Sequence, residues 1–104
     1  MTKTKLPRLI FDYIEDVYEY FTFENKDILL EILDSIEHGI KQKLNDVDIF
    51  EIQRSNSKVI LVFNLPINDW GKNLKWLMEK FIKLEEYELA DRIKKLLEVL
   101  KQSK

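Results

Sequence analysis

Histidine occurs once in this 104-residue chain, at His38, one helical turn after Asp34 and next to Glu37. Residues four apart on a helix share a face, so the pair can hold a metal ion or tune an acid–base imidazole. A closed metal site needs further soft or imidazole ligands, and the chain has no Cys and no second His. Asp12 with Glu15, and Asp12 with Asp16, have the i,i+3 and i,i+4 spacing of paired carboxylates. Such pairs do general acid–base work only when one member is buried; these alternate with apolar residues and are expected to be wet. Ser35, Ser55, Ser57 and Ser103 lack the nucleophile-elbow context, and Gly39 and Gly71 stand alone, without a phosphate-cradling loop. The expectation is a chain with no catalytic residues, no metal site and no cofactor.

Surface chemistry is the richer signal. Lys72, Lys75, Lys80 and Lys83 surround Trp76, and bases beside an aromatic are the ingredients of a nucleic-acid-binding face. Glu79, Glu85, Glu86 and Glu88 interrupt that face, and the sequence pI is about 5.5. Trp70 and Trp76 are six apart and cannot share a helix face, so one is expected in the core and the other exposed as an interface anchor. The net charge of −2 is unevenly spread. Asp12, Asp16, Glu19, Asp27, Glu31 and Asp34 lie in a stretch whose only base is Lys26, whereas the last third of the chain is basic. An acidic surface of this kind suits a polyanion mimic that inhibits a nucleic-acid-binding protein.

These side chains need elements to hold them. Leu9, Ile10, Tyr13, Ile14, Val17, Tyr18 and Phe21 recur at helical spacing, predicting an amphipathic helix over 7–21 with Pro7 in its first turn. Asn25 caps a second helix over about 26–44, carrying Ile28, Leu29, Ile32, Leu33, Ile36, Ile40 and Leu44, with Gly39 as a soft spot. Alternation then replaces the helical period. Asp48, Phe50 and Ile52 face one way and Val47, Ile49 and Glu51 the other; Ser55-Asn56-Ser57 turns the chain; Val59-Ile60-Leu61-Val62-Phe63 follows. This predicts a β-hairpin over about 47–65, its first strand at an edge and its second buried on both faces. No third strand is visible, and a free two-stranded sheet invites pairing with a second copy or a partner. Beyond Pro66, apolar spacing is helical over about 70–83 and again over 86–101, and with no Gly or Pro between them one long helix of about thirty residues is open; a break at Leu84-Glu85, which the likeness described next implies, would make a helical hairpin over about 69–101. The predicted fold is α+β, in the order α-α-β-β-α-α, as one domain over 1–104.

Residues 83–97 carry Tyr87-Glu88, Ala90, Ile93 and Leu97 in an arrangement that resembles the UVR motif, the short helical hairpin of excision-repair and adaptor proteins. Asp91 stands where that family has a second Ala, and Lys94-Lys95 where it has Arg-Asp. The resemblance implies a helical hairpin near 73–101 used for protein–protein association. Trp76, Phe81, Leu84 and Tyr87 are then the expected partner-binding residues, with Leu84 and Tyr87 flanking the bend.

Composition fixes the rest of the expectation. At 45% hydrophobic and 35% charged, the chain can build one core and is too apolar to stay disordered. No run approaches the length of a membrane span, and Asp12 interrupts the N-terminal apolar run too early for a signal peptide. Fourteen Lys and twelve Ile against a single Ala fit an AT-rich genome, bacterial or viral. The function expected is a non-catalytic, cytoplasmic interaction module, an adaptor or small subunit, acting through the helical hairpin or the sheet edge, with a protein partner or a second copy of itself. The two alternatives are the polyanion mimic and a nucleic-acid binder.

Overall fold

The computed structural model describes residues 6–13 and 26–102. Its elements run β1 (Arg8–Phe11), α1 (Lys26–Lys41), β2 (Asp46–Arg54), β3 (Ile60–Pro66), a 3-10 turn (Ile67–Asp69), α2 (Trp70–Lys83) and α3 (Tyr87–Gln102). The class is α+β, but the order is β-α-β-β-α-α rather than the expected α-α-β-β-α-α. The expected helix over 7–21 begins instead as a strand; its remainder from residue 14 lies outside the described residues. The reason is tertiary. Leu9, Phe11 and Tyr13 fit a period of two as well as Leu9, Tyr13 and Val17 fit a helix, and Phe11 lies off the helical stripe. A free edge on β2 decides between the two readings.

β1 pairs with β2 in parallel, Arg8 opposite Glu51 and Phe11 opposite Arg54. Parallel neighbours need a crossover, and α1 lies within the connection that provides it. β2 and β3 form the antiparallel hairpin, so the strand order is β1-β2-β3. This reverses the expected roles: β2 is central and β3 is the edge. Between Asp48 and Phe50 the ladder shifts register. That bulge places two successive residues on one side, and Ile49 and Phe50 are both fully buried. The simple alternation expected for β2 therefore fails: Val47 and Ile49 point inward before the bulge, Phe50 and Ile52 after it.

One face of the sheet is covered by helices. α1 packs on β2, and the α2–α3 hairpin packs on α1. The core joins Ile28, Leu29, Ile32, Leu33 and Ile36 of α1 to Val47, Ile49, Phe50 and Leu65 of the sheet. Trp70, Leu74, Leu77 and Phe81 of α2 and Ile93 and Leu96 of α3 complete it. Trp70 is the core tryptophan; its indole N–H donates to the Leu65 carbonyl at 2.9 Å, tying α2 to β3. Phe50 and Phe63 stack across the hairpin, their centroids 5.0 Å apart.

Two helix ends share one device. Lys43 has φ 56° and Glu85 φ 60°. Leu44 N–H donates to Gly39 C=O and Lys43 N–H to Ile40 C=O; Glu86 N–H donates to Phe81 C=O and Glu85 N–H to Ile82 C=O. This pairing of bonds around a left-handed residue is the Schellman motif, normally built on glycine. It stops α1 at Lys41, short of the expected 44, and it breaks α2 from α3 at Glu85, where a bend was expected.

Candidate protein interface

The expected partner-binding residues separate. Phe81 is fully buried in the core and lines no surface. Leu84 is half-buried and packs against the core. Tyr87 stands exposed at the hairpin bend, near Ile82, which is also exposed. Trp76 is half-buried on α2, with the Lys80 ammonium 5.8 Å above its ring. A cation already occupies one face of that indole. Lys72, Lys75 and Lys83 are exposed. Ala90 is buried on α3, and Asp91 faces solvent, paired with Lys95 at 3.3 Å.

The acidic residues separate as well. Arg92 of α3 reaches α1 and donates to Asp34 at 2.8 Å and to both oxygens of Glu37, at 2.8 and 3.0 Å. The planar guanidinium fork fits this bidentate geometry. Its hydrogen bond holds the Glu37 carboxyl below the usual glutamate range, outweighing partial burial, with smaller help from Lys41. The same bond drives Arg92 further above its already high value, against the effect of burial. Lys26 pairs with Glu86, joining the start of α1 to the hairpin bend. Asp12 is exposed and accepts a 2.6 Å hydrogen bond from the Ser55 hydroxyl. Asp27 is exposed in the first turn of α1, and Glu31 is half-buried. Asp16 and Glu19 lie outside the described residues. Part of the negative surface expected on α1 is therefore compensated by the basic C-terminal helix. Sequence reasoning missed Arg92. Its signal was that Arg occurs only three times in the chain and is the residue type suited to bidentate pairs.

His38 lines an open depression of about 560 Å³ with Leu6, Ser35, Leu44 and Asp48. Among the described residues no group of three His, Cys, Asp or Glu side chains is placed to hold a metal ion.

The edge strand gives the most distinctive geometry. Glu51 N–H donates to Pro7 C=O and Ser55 N–H to Phe11 C=O, both at 2.8 Å. The odd positions of β2 from 51 onward thus face β1, and the even positions face β3. Phe50 and Ile52 pair with Phe63 and Leu61, so those two residues of β3 point their backbone groups inward to the ladder. The N–H and C=O groups of Ile60, Val62 and Asn64 point the other way, along an edge that no described strand covers. Val59, Ile60, Leu61 and Val62 are all exposed, Val59 at 65% and Leu61 at 64%. Leu61 is on the helix-covered side of the sheet by register, but it lies beyond the reach of the helices. Charge and proline are the usual devices that blunt an edge; β3 carries no charge, and its one proline is Pro66 at its end.

No protein-family model, curated protein or solved structure matches this chain. Among the described residues no helix is long and apolar enough to cross a membrane.

Proposed function

We propose that the chain is a non-catalytic protein–protein interaction module, an adaptor or small subunit working in the cytoplasm, whose principal contact is strand addition at β3. One observation carries the reading: an edge with no strand partner among the described residues, bearing four successive exposed apolar residues, Val59 to Val62, and no charge. Strand addition draws affinity from main-chain hydrogen bonds and specificity from alternate side chains, and β3 offers both. The bend between α2 and α3, with exposed Tyr87 and Ile82, is a second contact in the same reading, and the likeness of residues 83–97 to the UVR motif supports it at the level of a helical hairpin. The polyanion mimic has less behind it, because Arg92 offsets part of the charge of Asp34 and Glu37 from within the chain. The nucleic-acid reading has less too, because Lys80 covers a face of Trp76.

The test compares three immobilised baits in native lysate: wild type, Val62→Lys and Tyr87→Ala. Both substitutions fall on exposed side chains, so circular dichroism spectra should coincide. The expected result is that proteins retained by wild type are lost from the Val62→Lys bait and reduced on Tyr87→Ala. Retention unchanged on both variants would overturn the proposal.

A further inference from the structure

We propose that the occupant of the β3 edge is the β3 strand of a second copy of this chain, antiparallel about a two-fold axis through Val62. The inference rests on the reading of that edge as an interaction surface and goes on to name its partner.

The argument is one of self-complementarity. The groups open on the edge belong to Ile60, Val62 and Asn64. Two antiparallel strands exchange hydrogen bonds only between residues that both face the seam. Opposing Val62 to Val62 of the second copy also opposes Ile60 to Asn64 and Asn64 to Ile60. This register pairs all three residues of both copies at once, giving roughly six hydrogen bonds. Sliding the strands by two residues in either direction leaves one of the three without a strand partner. Pro66, which has no N–H to give, ends β3 just beyond the paired segment.

Side chains agree with this register. On the helix-covered side, Leu61 falls opposite Phe63 of the second copy. The most exposed apolar side chain of β3 then lies against the half-buried ring that stacks on Phe50. On the other side Val62 meets Val62. An axis perpendicular to the sheet keeps both helix layers on the same side, so neither copy's helices block the other's strand. The seam is uncharged, and a like-charge clash, the usual bar to pairing identical strands, does not arise. Lys58, two residues before β3, is carried toward the Pro66 end of the other strand, where Asp46 and Asp48 of β2 bring carboxylates. The charge at the rim is therefore complementary between copies. The product is a six-stranded sheet in the order β1-β2-β3-β3-β2-β1, with the exposed edges on the short β1 strands.

Sedimentation equilibrium over a dilution series, with position-specific cross-linking, tests this. Wild type should reach twice the chain mass. Val62→Pro removes an N–H that faces the open edge and leaves the β2–β3 ladder intact, a position where edge strands accept proline. It should sediment as a monomer with an unchanged melting curve, as should Val62→Lys. The chain has no cysteine, so single thiols report the register. Val62→Cys places two Cα atoms about 5.5 Å apart across the axis, within disulfide range, and should oxidise to a covalent dimer. Val59→Cys, whose symmetry mates lie roughly 20 Å apart along the strands, should not. A dimer that persists in both Val62 variants, or cross-links at 59 and not at 62, overturns the proposal. So does a wild-type monomer throughout, which leaves the interaction reading to the bait comparison, an experiment that does not depend on self-association.

Discussion

The two glycines of this chain should respond to alanine with opposite signs. Gly39 is buried in the last turns of α1. A Cβ built there would lie 2.6 Å from Trp70 Cη2, 2.7 Å from Val47 Cγ1 and 2.9 Å from Trp70 Cζ2. Carbon atoms rest about 3.5–4.0 Å apart, so each neighbour must retreat by about 1 Å. Neither does so easily. Trp70 is 1% exposed and is pinned by its hydrogen bond to Leu65, and Val47 belongs to the central strand. Overpacking costs about 1–3 kcal/mol, and two constrained neighbours put this case near the upper end. Helix propensity returns about 0.8–1.0 kcal/mol. The net expectation for Gly39→Ala is a loss of about 2 kcal/mol, or a fall in Tm of roughly 8–16 °C at about 4–8 °C per kcal/mol. Gly71 is the second residue of α2 and has nothing within 4 Å of its would-be Cβ. Gly71→Ala should stabilise by about 0.5 kcal/mol. Thermal melts and urea titrations followed by circular dichroism read both. A coupling test sharpens the assignment, since Val47→Ala should cost less in the Gly39→Ala background than in wild type. A Gly39→Ala protein at least as stable as wild type would refute the reasoning, by showing that the indole relaxes freely.

Other expectations follow from the same structure. Lys43→Gly and Glu85→Gly each relieve a side chain held at positive φ and should raise urea stability by about 0.5–1 kcal/mol. Arg92→Met should cost on the order of 1 kcal/mol at pH 7, because its partners are partly exposed and solvent screens the pair. Glu37 has its pKa lowered by folding, so its contribution is full above the ordinary glutamate value of about 4.3 and is lost as pH falls through the depressed one. Wild type should therefore lose its advantage over Arg92→Met below about pH 4.3, which urea titrations across pH would reveal. Phe81→Ala should destabilise by about 3–5 kcal/mol, whereas Tyr87→Ala, at an exposed ring, should stay within about 0.5 kcal/mol of wild type; thermal melts of the two variants separate core from surface at the hairpin bend.

The helical part of the fold was legible because long amphipathic segments repeat their signal. Leu74, Leu77 and Phe81, then Ala90, Ile93 and Leu96, are the buried stripes expected from their spacing. The bend at Glu85 was expected only from the likeness of residues 83–97 to a helical hairpin; the apolar spacing alone allowed one long helix, because the left-handed residue that makes the bend is not one that announces a turn. The sheet was harder. Four residues are too few to show a period, so Arg8–Phe11 took the helical reading of the sequence that follows it. An unbroken apolar run in β3 reads as burial on both faces, because hydrophobicity does not report how many strands exist to cover it. The bulge at Ile49 disguised the alternation of β2. Among the candidate site residues, Tyr87 and Phe81 are six apart on a predicted bend, and only the packing of the helices shows which one turns inward. Arg92 acts across 55 and 58 residues of sequence, a separation at which composition carries no geometric information.

The parallel pairing of β1 with β2 also has a consequence in time. Arg8 and its partner Glu51 are 43 residues apart, whereas the β-hairpin and the helical hairpin close over a few residues each. At about 5–20 residues per second of synthesis, β1 waits roughly 2–9 seconds before its partner strand has been made. During that interval Leu9, Ile10 and Phe11 have no sheet to join. Slow codons within α1 lengthen the wait, and a chaperone that holds short apolar segments shortens the exposure. Of the three strands, the first to be translated is the one that waits longest for its partner, and its yield is the one that the pace of the ribosome sets.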